Sequence, residues 1–385
     1  MLHFERSEFD ARMNKTRALM AKEGLDALLI FAQESLFYLT GYDTTGFVFF
    51  QCGVMTARDE KPTLLTRRPD LEQARRTSTF EDIRLWYDAP GMDPSRELKA
   101  ILEEKGLKGC RVGIELRSFG LKGSDYELVR RQLEGWCTLV DASHIVRSLR
   151  VIKSPAEIAY VKRSAELADA SLVAMIEASG PGVFEGKIAA AGAVPILEGG
   201  GDPPPSGPVL GSGDRALLIR SATGFRTLDP VDQLTMEFAA SYRHYCVCLM
   251  RTISIGKANP EQVKMFDVTL EAITAMTEAA RVGNVLGNID DAHRAVYDKA
   301  GYGHARMSAC GYSLGATYRP TWMDVPPMLY SGNDTPVEPN MVLFLHSILI
   351  DAPKNLAMSI GYTILTTEGE PEVLTKIKPE YITRT

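Results

Sequence analysis

The spacing of apolar and polar positions changes along the chain, and each change predicts an element. In residues 8–23, Phe9, Met13, Leu19 and Met20 recur at helical spacing, and Gly24 supplies a helix stop. The next run, LDALLIF, reads as a buried strand. LFYLTGY and GFVFFQCGVMTA read as a second strand pair. LEEKGLKGCRVGIEL reads as a helix end, a glycine stop and another strand. Strands and helices therefore alternate over about the first 145 residues, the pattern of an α/β domain.

A boundary follows at LRVIKSPAEIAYVKRSAELADASLVAMIEA. Ser154 is an N-cap, Pro155 fits the first helical position, and Glu157 stands three residues after the cap. Ile158, Val161, Ala165 and Ala168 continue the helical spacing. A long helix thus opens a second domain, giving domains 1–150 and 151–385. Beyond it come a loop and helix (GPGVFEGKIAAAGAV) and a Gly/Pro-rich crossover (EGGGDPPPSGPVLGSG). DQLTMEFAASYRHYCVCLMRTISIG predicts two strands joined at Ala240-Ser241. Residues 261–281 and 287–300 predict helices, and short strand-like runs fill the chain from 305 onward. Strands on both sides of a helical block indicate an α+β second domain.

Composition sharpens the picture mainly by exclusion. Hydrophobic residues make up 45% and charged residues 24% of the 385, enough apolar material for a core in each domain. A net charge of −6 argues against non-specific nucleic-acid binding, which needs a basic face. No apolar run of about 18 residues occurs, so no membrane span is expected. The charged N-terminus lacks the apolar stretch of a secretory signal. The six cysteines form no CxxC pair, and reduced thiols in a cytoplasmic protein are expected.

Several segments resemble the pita-bread family of creatinase, ectoine hydrolase, prolidase and aminopeptidase P. They are Tyr38-Leu39-Thr40-Gly41-Tyr42, Leu149 to Glu157, Arg251-Thr252 after a tyrosine-rich strand, and Gly311-Tyr312-Ser313-Leu314-Gly315, where the family usually reads Gly-His-Gly-x-Gly. They occur in the family's order over nearly the whole chain. The resemblance implies an α/β N-terminal domain, an α+β pita-bread C-terminal domain, and a homodimer. The family's metallopeptidases hold two metal ions with two Asp, one His and two Glu. Those positions fall here on Glu237, Cys248, Tyr312, His346 and Gly361, and a family histidine that helps bind substrate falls on Arg220. Two hard divalent ions need several bridging carboxylate oxygens. With one carboxylate left of four, no metal and no other cofactor are expected.

The metal-free relatives, creatinase and ectoine hydrolase, cleave small C–N bonds. Ectoine hydrolase resembles this chain in its Glu at the first position, its Gly-Tyr-x-Ile-Gly loop, and a Pro-Asp-Trp similar to Pro320-Thr321-Trp322. By that resemblance Glu237 is the nucleophile or general base. The residues agree in kind, because Glu237 interrupts the apolar strand LTMEFAA, where a carboxylate is costly unless paired or functional. An ion pair with Arg220, Arg243 or Arg251 is the structural alternative. His346, also in an apolar strand, is either a core residue or a proton donor to a leaving nitrogen. Tyr312 can hydrogen-bond a developing oxyanion, and the Arg220 fork suits a substrate carboxylate. Trp322, Tyr318 and the N-domain aromatics Phe37, Tyr38, Tyr42 and Phe47 are candidates to line a pocket for a small cation or ring.

His244, Cys246 and Cys248 alternate as one face of a strand does, and with Glu237 or His346 they offer zinc donors. Cys248 as a thiolate with His346 as base is a further alternative, and Cys248 otherwise lines the substrate site. The reading is a metal-independent hydrolase of a C–N bond in a small carboxylate-bearing compound. A catalytically inactive ligand-binding pita-bread protein and a metallopeptidase with altered ligands are the alternatives.

Overall fold

The structure is a computed structural model that describes residues 1–58, 61–220 and 223–385. It separates into two compact units, Met1–Arg150 and Val151–Thr385.

The N-terminal unit is built on a six-stranded sheet of β1 (Ala27–Ile30), β2 (Cys52–Thr56), β3 (Thr63–Arg67), β4 (Asp82–Trp86), β5 (Arg111–Ile114) and β6 (Thr138–Asp141), in the order β4-β3-β2-β1-β5-β6. Its helices are α1 (Arg6–Lys22), α2 (Gln33–Thr40), α3 (Leu71–Thr77), α4 (Pro94–Glu104), α5 (Gly123–Leu133) and α6 (His144–Val151). Successive residues of β1 enter different cores: Ala27 and Leu29 pack with Val54, Leu65 and Val112, while Leu28 and Ile30 pack with Met55 and Leu64. Both sheet faces are covered, which is why β1 has no polar position.

The stretch LFYLTGY, expected as a strand, is instead helical and forms most of α2. Gly41 closes that helix at φ +79°. Seven of the eight α2 residues are buried, so no polar face betrays its period. A tertiary contact helps define the helix start: the Glu115 carboxylate, beyond the end of β5, accepts from the Phe31 and Ala32 N–H groups and the Ser35 hydroxyl. Of the run GFVFFQCGVMTA, Gly46–Val48 is a single 3₁₀ turn, and the strand is confined to Cys52–Thr56.

The C-terminal unit opens with α7 (Pro155–Ala178), whose capping box joins Ser154 and Glu157 reciprocally. After α8 (Glu185–Glu198) come β7 (Val209–Ser212), β8 (Asp232–Tyr242) and β9 (Tyr245–Ile255). Then follow α9 (Pro260–Ala279), α10 (Leu286–Lys299), β10 (Gly311–Ser313), β11 (Met328–Leu329), β12 (Val342–Asp351) and β13 (Leu356–Leu365), with short β14 (Glu372–Val373) and β15 (Thr383–Arg384) at the end. The main sheet path runs β11-β10-β12-β13-β9-β8-β7. Helices α7 and α9 pack on this sheet.

The hairpin between β8 and β9 does not turn at Ala240-Ser241. Its strands continue to the Tyr242–Tyr245 pair, and Arg243 (φ 53°) and His244 (φ 68°) make a two-residue turn. Such turns favour Asn and Gly, so an Arg-His turn carries no sequence signal.

Candidate active site

Strand register brings the family's ligand positions onto one face of the C-terminal sheet. Glu237 on β8 opposes Met250 on β9, Met250 opposes Gly361 on β13, and Gly361 opposes His346 on β12. Cross-strand partners share a face, so these four residues form one row across the sheet. Cys248 lies two positions from Met250 on β9, and Tyr312 on β10 opposes Phe344, two positions from His346. Cys248 and Tyr312 therefore flank the row on the same face.

Glu237, His346 and Tyr312 line a cavity of about 480 Å³, together with Arg220, Trp322 and Met307. The Trp322 indole N–H donates to the Tyr312 hydroxyl at 2.8 Å, and the Tyr312 O–H donates to Glu237 Oε1 at 3.2 Å. The phenol expected to meet an oxyanion thus donates its hydrogen to the Glu237 carboxylate. Burial pushes the Glu237 carboxyl up to about 7, opposed by the Tyr312 hydrogen bond and then by the positive field of Arg220. Arg220 is exposed and makes no ion pair among the described residues. It reaches Glu237 only through space.

The other arginines offered as partners for Glu237 stand elsewhere. Arg251 opposes Met236, so its side chain leaves the sheet on the face away from Glu237. Its buried guanidinium donates to the carbonyls of Met250 and Gly361. Arg243 is in the hairpin turn, with its guanidinium 5.6 Å from the Tyr242 ring centre.

His346 is a neutral imidazole. Burial pushes it down to about 3. It is therefore not an imidazolium donor near neutral pH, as the strand pattern left open, but an N–H donor or a lone-pair acceptor. Its Nδ1 is buried without a hydrogen-bond partner.

Cys248, expected to touch substrate, is fully buried and is absent from the cavity wall. Burial, with Cys246 and Glu237 nearby, pushes its thiol far up, so a catalytic thiolate does not form near neutral pH. The zinc trio is not assembled either. His244 sits in the turn and stacks on Tyr318 at 4.3 Å, and among the described residues no chelating cluster joins it to Cys246 and Cys248. Tyr42 is likewise a correction. It is 0% exposed in the N-terminal core, edge-on to Phe80 and 3.4 Å from the Thr66 hydroxyl. Phe37, Tyr38 and Phe47 are buried within the same unit.

The donor set does not fit a pair of hard cations. Of the five family positions, only Glu237 carries a carboxylate, and Cys248 and Tyr312 are held protonated. Gly361 cannot regain a side chain without movement, because a Cβ there would lie 2.7 Å from the Phe344 ring and 2.8 Å from Met250 Cβ. Aromatic and apolar atoms occupy the space such a carboxylate would need.

Sequence reasoning missed a second polar cluster beside this row. Asp290, His293 and Cys310 are all buried, with one donor atom of each within 4.8 Å of the others. The signal was present: Asp290 and His293 stand three apart on a helix and share a face.

A two-domain chain with an α/β N-terminal unit and this antiparallel sheet has the pita-bread architecture of the creatinase and aminopeptidase P proteins. Residues 12–152 match the creatinase/prolidase N-terminal domain, and residues 159–368 match metallopeptidase family M24. The chain belongs to that family, whose members are hydrolases. It is 29% identical to the ectoine hydrolase of Halomonas elongata, covering 97% of this chain and 96% of that protein. It is 23% identical to the Xaa-Pro dipeptidase of Pyrococcus furiosus, over 96% and 99% of the two chains. The solved Xaa-Pro dipeptidase of Bacillus anthracis superposes with a TM-score of 0.85 at 21% identity, over 97% and 99% of the chains. No helix among the described residues is long and apolar enough to cross a membrane.

Proposed function

We propose that this protein is a metal-independent hydrolase that cleaves a C–N bond in a small compound bearing a carboxylate. The carrying observation is Glu237: a carboxyl brought to about 7, gripped by Tyr312, and facing one cavity with Arg220 and His346. A carboxylate with that pKa is half ionised near neutral pH, where base strength and availability are balanced. In this reading the ionised Glu237 either attacks the electrophilic carbon or takes a proton from the water that does. Arg220 holds the substrate carboxylate, since a guanidinium stays charged and binds carboxylates in a fork. Neutral His346 offers a hydrogen bond to the atom that gains negative charge. The likeness to ectoine hydrolase supports a non-peptide substrate, and the missing carboxylates support chemistry without a metal pair.

The test is a turnover screen of small cyclic amidines, guanidino acids and acylamino acids, run beside Xaa-Pro dipeptides with and without added manganese or cobalt. Turnover of a carboxylate-bearing non-peptide in the presence of chelator, lost in Glu237→Gln, is the expected result. Activity on dipeptides alone, and only with added metal, would establish a peptidase instead.

A further inference from the structure

The row that carries Glu237 and His346 continues by one residue into the second polar cluster. The His346 N–H donates to the Cys310 carbonyl at 2.8 Å, and the next pair in register is Gly311 with Leu345. Cys310 and His346 are thus cross-strand neighbours with side chains on one face. Cys310 in turn lies in the cluster with Asp290 and His293 of α10.

The chemistry of that cluster is well defined. Asp290 Oδ1 is 3.2 Å from His293 Nδ1, and Asp290 Oδ2 accepts from the Ser331 N–H at 3.0 Å. Arg306 stands 3.9 Å from Asp290 Oδ1. Burial alone would push the Asp290 carboxyl up, but the hydrogen bonds from His293 and Ser331 and the charge of Arg306 bring it below its usual value. An ionised carboxylate at Nδ1 places the His293 proton there and leaves a lone pair on Nε2. That Nε2 is buried and has no hydrogen-bond partner, as is His346 Nδ1. The Cys310 thiol is kept protonated by burial and by Asp290.

We infer that Asp290 and His293 are positioning residues for His346, acting through one buried water held between His293 Nε2 and His346 Nδ1. A buried water is held by roughly two to four hydrogen bonds to otherwise unsatisfied polar groups. Here it donates to the two imidazole lone pairs, while the Cys310 S–H is directed to the Asp290 carboxylate. Each otherwise unmet group is then satisfied. Arg306 already balances the Asp290 charge, so the cluster does not call for a cation. The consequence is a fixed tautomer: His346 carries its proton on Nε2 and presents that N–H to the cavity. The role of that N–H in turnover rests on the reading of Glu237 as the reactive carboxylate, but the tautomer does not.

Nitrogen-15 histidine NMR on the full chain at neutral pH tests this directly. The six histidines are few enough to assign with single His→Gln variants. His346 should be a single neutral Nε2–H form, and His293 an Nδ1–H form. His293→Phe should convert His346 to a mixture of tautomers, whereas His293→Gln, which keeps an acceptor, should retain the wild-type form. His346 protonated on Nδ1 in the wild type overturns the inference, and so does an unchanged tautomer in His293→Phe. Should His293→Phe fail to fold, His293→Leu removes the same acceptor with a smaller side chain, and should loosen the tautomer preference in the same way. A thiolate-to-cobalt absorption band on adding Co²⁺, lost in Cys310→Ser, would show a metal ion in place of the water and also overturn it. None of these readouts involves turnover, so a wrong assignment of the reaction leaves them intact.

Discussion

At the scale of single residues, the site is governed by the protonation of Glu237. Its folded pKa of about 7 lies above the ordinary carboxyl value of 4.5. Between those values the folded state binds more protons than the unfolded state, so this group makes stability fall as pH rises from 4.5 to about 7. Glu237→Gln removes that penalty. Melts of the two proteins should nearly coincide at pH 4.5, and the variant should gain up to roughly 3 kcal/mol by pH 8 at about 1.4 kcal/mol per pKa unit. A constant difference across that range would show that Glu237 is not shifted. Tyr312→Phe acts in the opposite sense to a simple loss of contact. The hydrogen bond it removes lowers the Glu237 pKa. Its loss should therefore move the acidic limb of the kcat/KM profile upward by about one pH unit, for a bond worth about 1–2 kcal/mol. The measured pH profile checks the direction.

At the scale of elements, the strand register does most to define the site. Glu237 precedes His346 and Gly361 by more than a hundred residues, and only the strand pairing aligns the three. Gly361 has no room for a side chain without movement of its neighbours. Gly361→Ala should destabilise by about 1–3 kcal/mol through overpacking against Phe344 and Met250. A chemical melt unchanged within error would show that the Phe344 ring yields freely. The elements also show where sequence patterns suffice. Helix α7 was evident from Ser154, Pro155 and Glu157, because a capping box is a purely local device. Helix α2 was not, because burial on every side erased its period and the Glu115 carboxylate at its start comes from a distant part of the chain.

At the scale of the molecule, two units with their own cores meet the usual condition for independent folding. The N-terminal cores draw only on residues of Met1–Arg150. A fragment of residues 1–152 should therefore melt cooperatively by circular dichroism; a gradual, non-cooperative trace would show that it depends on the rest of the chain. The long helix that opens the C-terminal unit near residue 150 and the scarcity of acidic residues at the family's ligand positions were legible in the sequence, because each rests on local capping or residue type. Glu237 was also legible, since a charge inside an apolar strand is conspicuous wherever it folds. The fate of the neighbouring groups was not. Tyr42 and Cys248 became core residues, Tyr312 became the partner of Glu237, and His293 became the partner of Asp290. Those outcomes depend on which side chains meet across strands and how much water they lose. Only the assembled fold sets those quantities, because pKa and hydrogen bonding respond to neighbours in space rather than to neighbours along the chain.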